Sequence, residues 1–198
     1  MKNVLIINGH QKYDGIAEGK LTDFFITSAK DFFKENDFIV KNTHIDRGYN
    51  IDEEVEKLDW ADFILFQYPI YWMGVPWITK KYIDEVISAG KGTVTYLNDG
   101  RSRDDASKKY GSGGLMQDKS YMLSLTYNCP ASEFDNKDGF FDGLTLDEVN
   151  ISTHKIFQSC GVKPLETYSI YDILKGNLEI NKEKKKFIKI LEKNFKGD

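Results

Sequence analysis

The sequence predicts a doubly wound α/β fold, five parallel strands with helices on both faces of the sheet, and three observations carry that expectation. Short apolar runs of strand length alternate along the chain with segments whose apolar residues recur at helical spacing. Turn residues punctuate the passage from one segment to the next. A length of 198 residues, 40% of them hydrophobic and 14% aromatic, suits one domain with a sizeable core and one elaborated loop.

Val4-Leu5-Ile6-Ile7 is the first strand, ended by the turn pair Asn8-Gly9. Leu21, Phe24, Phe25, Ser28, Phe32 and Phe33 then recur at helical spacing and predict a helix over about residues 19–34. Phe38-Ile39-Val40 begins the second strand. Asn50 and Glu53 have capping-box spacing ahead of a short helix that contains Val55 and Leu58. The third strand covers residues 63–67, and a helix entered through Pro76 follows to about residue 88. The fourth strand covers residues 121–126, and a helix over about residues 146–160 is stopped by Gly161. A fifth strand spans about residues 165–170, and a last helix carries Phe187, Ile188, Leu191 and Phe195 on one face. The run Lys182-Glu183-Lys184-Lys185-Lys186 reads as the solvated side of that helix.

Five such units predict the strand order 2-1-3-4-5, the flavodoxin-like order, with a ligand crevice where the first and third strands adjoin. The loops at the carboxyl ends of strands one, three and four would meet there, and all three are unusual in composition: residues 9–19, 69–77 and 126–130. A fourth segment, residues 99–118, is long, polar and glycine-rich; as it precedes the fourth strand, it is expected to reach the same crevice.

Composition excludes several classes. A formal net charge of −4 argues against general nucleic-acid binding. No apolar run is long enough to cross a bilayer, and the start lacks a signal peptide's apolar core, so a cytoplasmic protein without membrane insertion is expected. Cys129 and Cys160 are too few for a disulfide framework, and His10, His44 and His154 have no metal-ligand spacing, so no metal site is expected. A phosphoacceptor domain of this topology needs an acidic residue after the third strand, where Gln67-Tyr68-Pro69 stands. Of the Gly-x-Gly-x-x-Gly pattern of a dinucleotide fold only Gly9 follows the first strand, and no P-loop is present.

The turn Tyr68-Pro69-Ile70-Tyr71-Trp72-Met73-Gly74-Val75-Pro76-Trp77 crowds rings and two prolines into one strand end. Either the rings close one end of the core or they offer a flat apolar surface to a flat aromatic cofactor. A flavin fits the second reading. It needs such a surface, which Pro69 to Trp72 can supply, and donors for its reduced ring, which the Thr126-Tyr127-Asn128 turn can supply. It also needs a phosphate site, which the helix amino end at Gly19 and Lys20 can supply. The long loop offers further surface for the adenosine half of FAD.

Beyond these features, the chain resembles the flavodoxin-like NAD(P)H:quinone oxidoreductases. The matching residues are Ile6-Ile7-Asn8-Gly9, Trp60-Ala61-Asp62, Trp72-Met73-Gly74, Pro76-Trp77, Lys80-Lys81-Tyr82-Ile83-Asp84, Asp99-Gly100-Arg101, Ser107-Lys108-Lys109-Tyr110-Gly111-Ser112-Gly113-Gly114-Leu115 and Tyr121-Met122-Leu123-Ser124-Leu125-Thr126. The resemblance implies a cytoplasmic homodimer with FAD that reduces quinones with NADPH. It implies FAD contacts at Ala17, Glu18, Gly19, Lys20, Leu21, Thr22, Asp23 and Phe24. Further contacts fall at Pro69, Ile70, Tyr71 and Trp72, at Tyr110, and at Thr126, Tyr127, Asn128 and Cys129.

One open flavin face would serve nucleotide and quinone in turn, a ping-pong two-electron reduction by hydride transfer through flavin N5. Protons would come from Tyr71, Tyr127 or water. Arg101 and Arg103, with Lys108 and Lys109, would hold the 2′-phosphate of NADPH or the pyrophosphate of FAD, unless they are solvated loop charges. Tyr49, Trp77, Phe134, Phe140 and Phe141, in or near loops, suggest an apolar dimer interface. The alternatives are an FMN electron carrier, a regulatory subunit of a potassium-efflux system and a cofactor-free structural module.

Overall fold

In the computed structural model, residues 1–196 are described. The first four units are β1 (Asn3–Asn8), α1 (Lys20–Glu35), β2 (Ile39–His44), α2 (Ile51–Trp60), β3 (Phe63–Pro69), α3 (Trp77–Ala89) and β4 (Ser120–Thr126). The remaining elements are α4 (Leu146–Val149), α5 (Ile151–Ser159), β5 (Lys163–Pro164), β6 (Tyr168–Ile170) and α6 (Ile180–Lys196). The strands run parallel in the order β2-β1-β3-β4-β5, with β6 also paired to β4, so the expected order holds.

Alternation along the central strands sends side chains to two cores, as parallel strands covered on both faces require. Leu5, Ile7, Ile64, Phe66, Tyr68, Tyr121, Leu123 and Leu125 pack with α2, α3 and α5. Val4, Ile6, Leu65 and Met122 pack with α1 and α6, where the rings of Phe25, Phe33, Phe187 and Phe195 meet. Burying a ring of this kind contributes about 1.5–3 kcal/mol. Asn50 caps α2 by accepting from the Glu53 N–H at 3.1 Å.

Two elements are broken where the sequence predicts continuity. The fifth strand is split because Ser120 and Tyr121 pair with Lys163 and Pro164, whereas Ser124 pairs with Tyr168. Leu165, Glu166 and Thr167 thus stand opposite two residues of β4, a one-residue bulge. The backbone freed at Glu166 is caught by α6: its N–H donates to Asn194 Oδ1 (3.2 Å) and its carbonyl accepts from Asn194 Nδ2 (2.9 Å).

The helix over residues 146–160 is interrupted at Asn150. Thr145 and Glu148 form a capping box for α4. The Asn150 amide donates to the Leu146 carbonyl (2.8 Å) and to the Tyr127 hydroxyl (2.9 Å), replacing helix continuity with side-chain bonds. Just beyond the break, buried His154 sits between the Tyr121 hydroxyl (2.6 Å to Nδ1) and Asp147 Oδ1 (3.2 Å to Nε2). The neutral tautomer with its proton on Nε2 satisfies all three groups.

The bond from His154 holds the Asp147 carboxyl below its usual range. A carboxylate depressed in the folded state stabilises above its unfolded pKa and loses that contribution as pH falls through the folded value. Asp147→Asn is therefore expected to flatten the pH dependence of stability below about pH 4, by less than about 1 kcal/mol because the carboxylate is half exposed. Urea titrations at neutral and acidic pH measure it, and an unchanged slope would contradict the reading.

Candidate active-site crevice

The sheet's apolar rows end in a polar one. In register after Ile6 and Leu65 come Asn8 and Gln67, with Ser124 beside Gln67. Ser124 donates to Gln67 Oε1 (2.6 Å), Asn8 donates to Asp23 (3.3 Å), and Gln67 Nε2 is buried without a partner among the described residues. This row lies beneath the amino end of α1, so polarity is concentrated at the edge where three loops converge.

The first loop leaves β1 through Gly9, where a Cβ would stand 2.9 Å from Thr79 Oγ1 and 3.0 Å from Tyr68 Cβ, and Thr79 donates to the Gly9 carbonyl at 2.5 Å. It then forms a small hairpin closed between Tyr13 and Ala17. Gly19 enters α1 at φ 81, a left-handed conformation that glycine adopts without strain. No side chain caps the helix, so the N–H groups of Lys20, Leu21 and Thr22 are left as free donors. Beneath Gly19 lies the His10 ring: a Cβ at Gly19 would stand 3.1 Å from its Cδ2. His10 is 6% exposed; its Nε2 lies 3.1 Å from the Ala17 carbonyl, and its Nδ1 is buried with no partner among the described residues.

The second loop is a two-residue hairpin. Tyr71 and Gly74 exchange backbone bonds of 2.9 and 3.2 Å across Trp72 and Met73, whose φ angles are 48° and 66°. This is a type I′ turn, where Asn-Gly is the favoured pair. Holding two L-residues there costs about 1–2 kcal/mol each, and strain of this kind clusters at functional sites. The turn displays Trp72 at 97% exposure and leaves the Trp72 and Met73 N–H groups unbonded. Met73→Gly is expected to raise stability by about 0.5–1 kcal/mol, relief of the strain less the entropy of glycine. A denaturant titration that found a loss instead would show that the Met73 side chain supports the turn.

Tyr71 anchors this hairpin to the first loop, its hydroxyl donating to the Gln11 carbonyl at 3.0 Å. Burial pushes its phenol up to about 12, so it stays protonated at neutral pH. The third loop is tied in through the Ile70 N–H, which donates to the Thr126 carbonyl at 3.0 Å. Asn128 and Cys129 keep their N–H groups free of internal bonds, and burial raises the Cys129 thiol. Tyr13, Ile16, Ala17, Ile70, Tyr71 and Trp72 line a cleft of about 450 Å³ between the first two loops.

Several expected site residues lie elsewhere. Tyr127 is 2% exposed, and its hydroxyl bonds to Asn150. Strand parity explains this, because Tyr127 shares the face of Tyr121, Leu123 and Leu125 and so points under α5, away from the cleft. Its phenol, pushed up to about 12 by burial, stays protonated at neutral pH and does not line the cleft. Thr22 is buried in α1, and Phe24 turns toward α6, under Lys184. Of the loop aromatics, Phe134 and Phe141 are buried and stacked on each other, whereas Trp77 and Phe140 are exposed.

The long loop does not reach the crevice of its own chain. A bridge between Tyr96 and Gly114 closes its base, and Tyr110, Asn98 and Asp99 border a groove between α3 and α5 that shares no lining residue with the cleft. Arg101 is held by Asp99, which its Nε and Nη2 contact at 2.8 and 2.5 Å, and it lies over the Tyr110 ring. Arg103 is exposed in the same loop. Gly113 and Gly114 let the loop approach the backbone at Asn98 and Cys160. Gln67 and Ser124 continue the polar row of Asn8, and His10 lies under Gly19; sequence reasoning did not single these three out at the crevice. The available signal was a polar residue inside an otherwise apolar strand run, at Gln67 and at Ser124.

Comparisons with known proteins bear on this arrangement. A family defined by a flavodoxin-like fold matches residues 2–194. An uncharacterized protein of Schizosaccharomyces pombe is 41% identical over 173 residues, 87% of each chain. NADPH:quinone oxidoreductase MdaB of Haemophilus influenzae is 38% identical over 174 residues, 88% of this chain and 90% of that one. Among solved structures, a candidate quinone reductase from Klebsiella pneumoniae aligns with a TM-score of 0.75 at 18% identity, covering 98% of this chain and 83% of that one. General stress protein 14 of Treponema denticola, solved with FMN, aligns with a TM-score of 0.66 at 14% identity, covering 97% and 98%. The two structural matches speak to the fold, and the two sequence matches to kinship over nearly the whole length. The chain belongs to the flavodoxin-like family that includes the NADPH:quinone oxidoreductase of Haemophilus influenzae.

Proposed function

We propose that this protein is a flavin-dependent NAD(P)H:quinone oxidoreductase, a cytoplasmic homodimer that uses FAD and prefers NADPH. One observation carries the reading: three loops meet at the carboxyl edge of the sheet and place an apolar cleft beside free backbone donors and an uncapped helix amino end. Kinship with the Haemophilus influenzae enzyme supports the activity.

The residues present fit a flavin. The free N–H groups of Lys20, Leu21 and Thr22 suit its phosphates, with Gly19 allowing close approach and the orphaned His10 Nδ1 buried alongside. Ile70, Tyr71 and Trp72 offer the flat apolar wall, and the N–H groups of Trp72, Met73, Asn128 and Cys129 offer donors to the polar edge of the ring. When bound, the flavin supplies two-electron chemistry between the nucleotide and the quinone. Tyr71 stays protonated and holds the first loop against the second. Protons at the quinone come from solvent or from Tyr71, the tyrosine that borders the cleft together with Tyr13.

FAD rather than FMN is favoured in a two-fold dimer in which the partner's long loop supplies the surface for the adenosine half. The exposed Tyr110 and the cations Arg103, Lys108 and Lys109 would then meet the other subunit's crevice. Purified protein should release FAD on denaturation, scatter light as a dimer, and give parallel initial-rate lines with NADPH and a quinone. Release of FMN would reassign the cofactor, a fully active monomer would remove the partner's loop, and absence of flavin uptake would overturn the reading altogether.

A further inference from the structure

A second cleft, separate from the apolar cleft beside Tyr71 and meeting the crevice's polar row at Asn8 and Asp23, lies between α1 and the edge strand β2 and measures about 310 Å³. In register with Val4, Ile6 and Asn8, β2 presents Val40, Asn42 and His44 to the side covered by α1. A helix-covered strand face is ordinarily apolar, and Val40 conforms by joining the core. Asn42 and His44 do not, and they open a polar cleft with Asp23, Thr27, Lys30 and Arg47.

Two features of this cleft are unfinished. His44 Nδ1 is buried without a partner among the described residues, and its Nε2 stands 4.0 Å from Asp23 Oδ1, beyond hydrogen-bonding range. Burial and the Arg47 charge lower its pKa, so the ring is neutral at neutral pH and offers one donor and one acceptor. Lys30 and Arg47 have no carboxylate within ion-pair distance among the described residues, whereas nearby Lys12 is paired with Asp14. The floor, Ile6 and Ile26, is apolar.

We propose that this cleft binds a phosphate monoester carried on a hydroxylated sugar, such as a nucleoside or pentose phosphate. Lys30 and Arg47 hold the phosphate by charge-assisted bonds. Asp23, Asn42 and His44 take the sugar hydroxyls, and the isoleucine floor packs under the ring. The proposal does not depend on the oxidoreductase reading, because the cleft shares no lining residue with the apolar cleft beside Tyr71, and Lys30, Asn42, His44 and Arg47 lie outside the three loops of the crevice.

The test is calorimetry and amide NMR on the full chain with 5′-AMP, ribose 5-phosphate and inorganic phosphate, each at millimolar concentration. The two sugar phosphates should bind more tightly than inorganic phosphate and should perturb the amides of Thr27, Asn42 and His44. Arg47→Ala and Lys30→Ala, both at solvent-accessible side chains, should each weaken binding about tenfold, the loss of one charge-assisted bond. Tighter 5′-AMP would assign the base to the site, and equal affinities would assign only the sugar phosphate. Saturating FAD should leave the affinity unchanged. No binding, binding indifferent to both variants, or displacement by FAD would each overturn the proposal, the last by moving the phosphate to the amino end of α1.

Discussion

Gly114→Ala is expected to destabilise the chain by at least about 3 kcal/mol, the range of severe overpacking. A Cβ at Gly114 would stand 2.1 Å from the Cys160 carbonyl carbon and 2.2 Å from the Gly161 nitrogen. Both are backbone atoms, so no side chain can rotate away. The same approach carries the bond from the Met116 N–H to the Cys160 carbonyl (2.8 Å), which fastens the entrance of β4 to the exit of α5. Relief would require separating two elements of the core. Gly111→Ala is the control: that glycine has φ 82 but nothing within 4 Å of its Cβ position, so the cost is limited to conformational strain of about 1–2 kcal/mol. Urea unfolding of both variants measures the difference. Equal losses would show that the loop shifts freely and that the contact does not hold it.

Trp72→Ala is expected to separate function from folding. At 97% exposure the ring supports no core, so stability should stay within about 0.5 kcal/mol of the parent. The strained hairpin nevertheless displays the ring at the rim of the cleft, in a conformation that costs energy without contributing to packing. An aromatic contact between Trp72 and a flat ligand is worth on the order of 1 to 2 kcal/mol, so flavin retention or quinone turnover should fall about ten-fold. Flavin affinity, turnover per folded molecule and melting temperature, measured together, decide the matter. A lower melting temperature with normal affinity and turnover would make the tryptophan a structural residue.

Much of the fold was legible in the sequence because its signals are local. Apolar runs at Val4–Ile7, residues 63–67 and residues 121–126 marked the central strands, and the helical recurrence of the phenylalanines marked α1 to within a residue and the presence of α6. Asn50 announced its helix by the spacing to Glu53, and the observed cap follows it. The alternation of these elements implied the strand order, because right-handed crossovers leave few arrangements of five parallel strands. The convergence of loops one, three and four followed from that order, and with it the crevice.

The breaks were harder to see, since each depends on a partner distant in sequence. The bulge at Glu166 exists because Asn194 of α6 takes its backbone groups, and the interruption at Asn150 is secured by Tyr127. Tyr127 is a different case: strand parity already placed it with Leu123 and Leu125, and only the nearness of the crevice suggested otherwise.

By itself, then, the sequence determined the elements, their order and the edge of the sheet that bears the crevice, since periodicity, capping and turn chemistry act over a few residues. Tertiary structure alone decided where residues 99–118 lie, which Arg101 partner prevails and which buried nitrogens stay unsatisfied. A glycine-rich run permits close approach without naming what approaches. At Gly113 and Gly114 the neighbour is the chain's own backbone, at Asn98 and Cys160, and only the packing of β4 against α5 could select it.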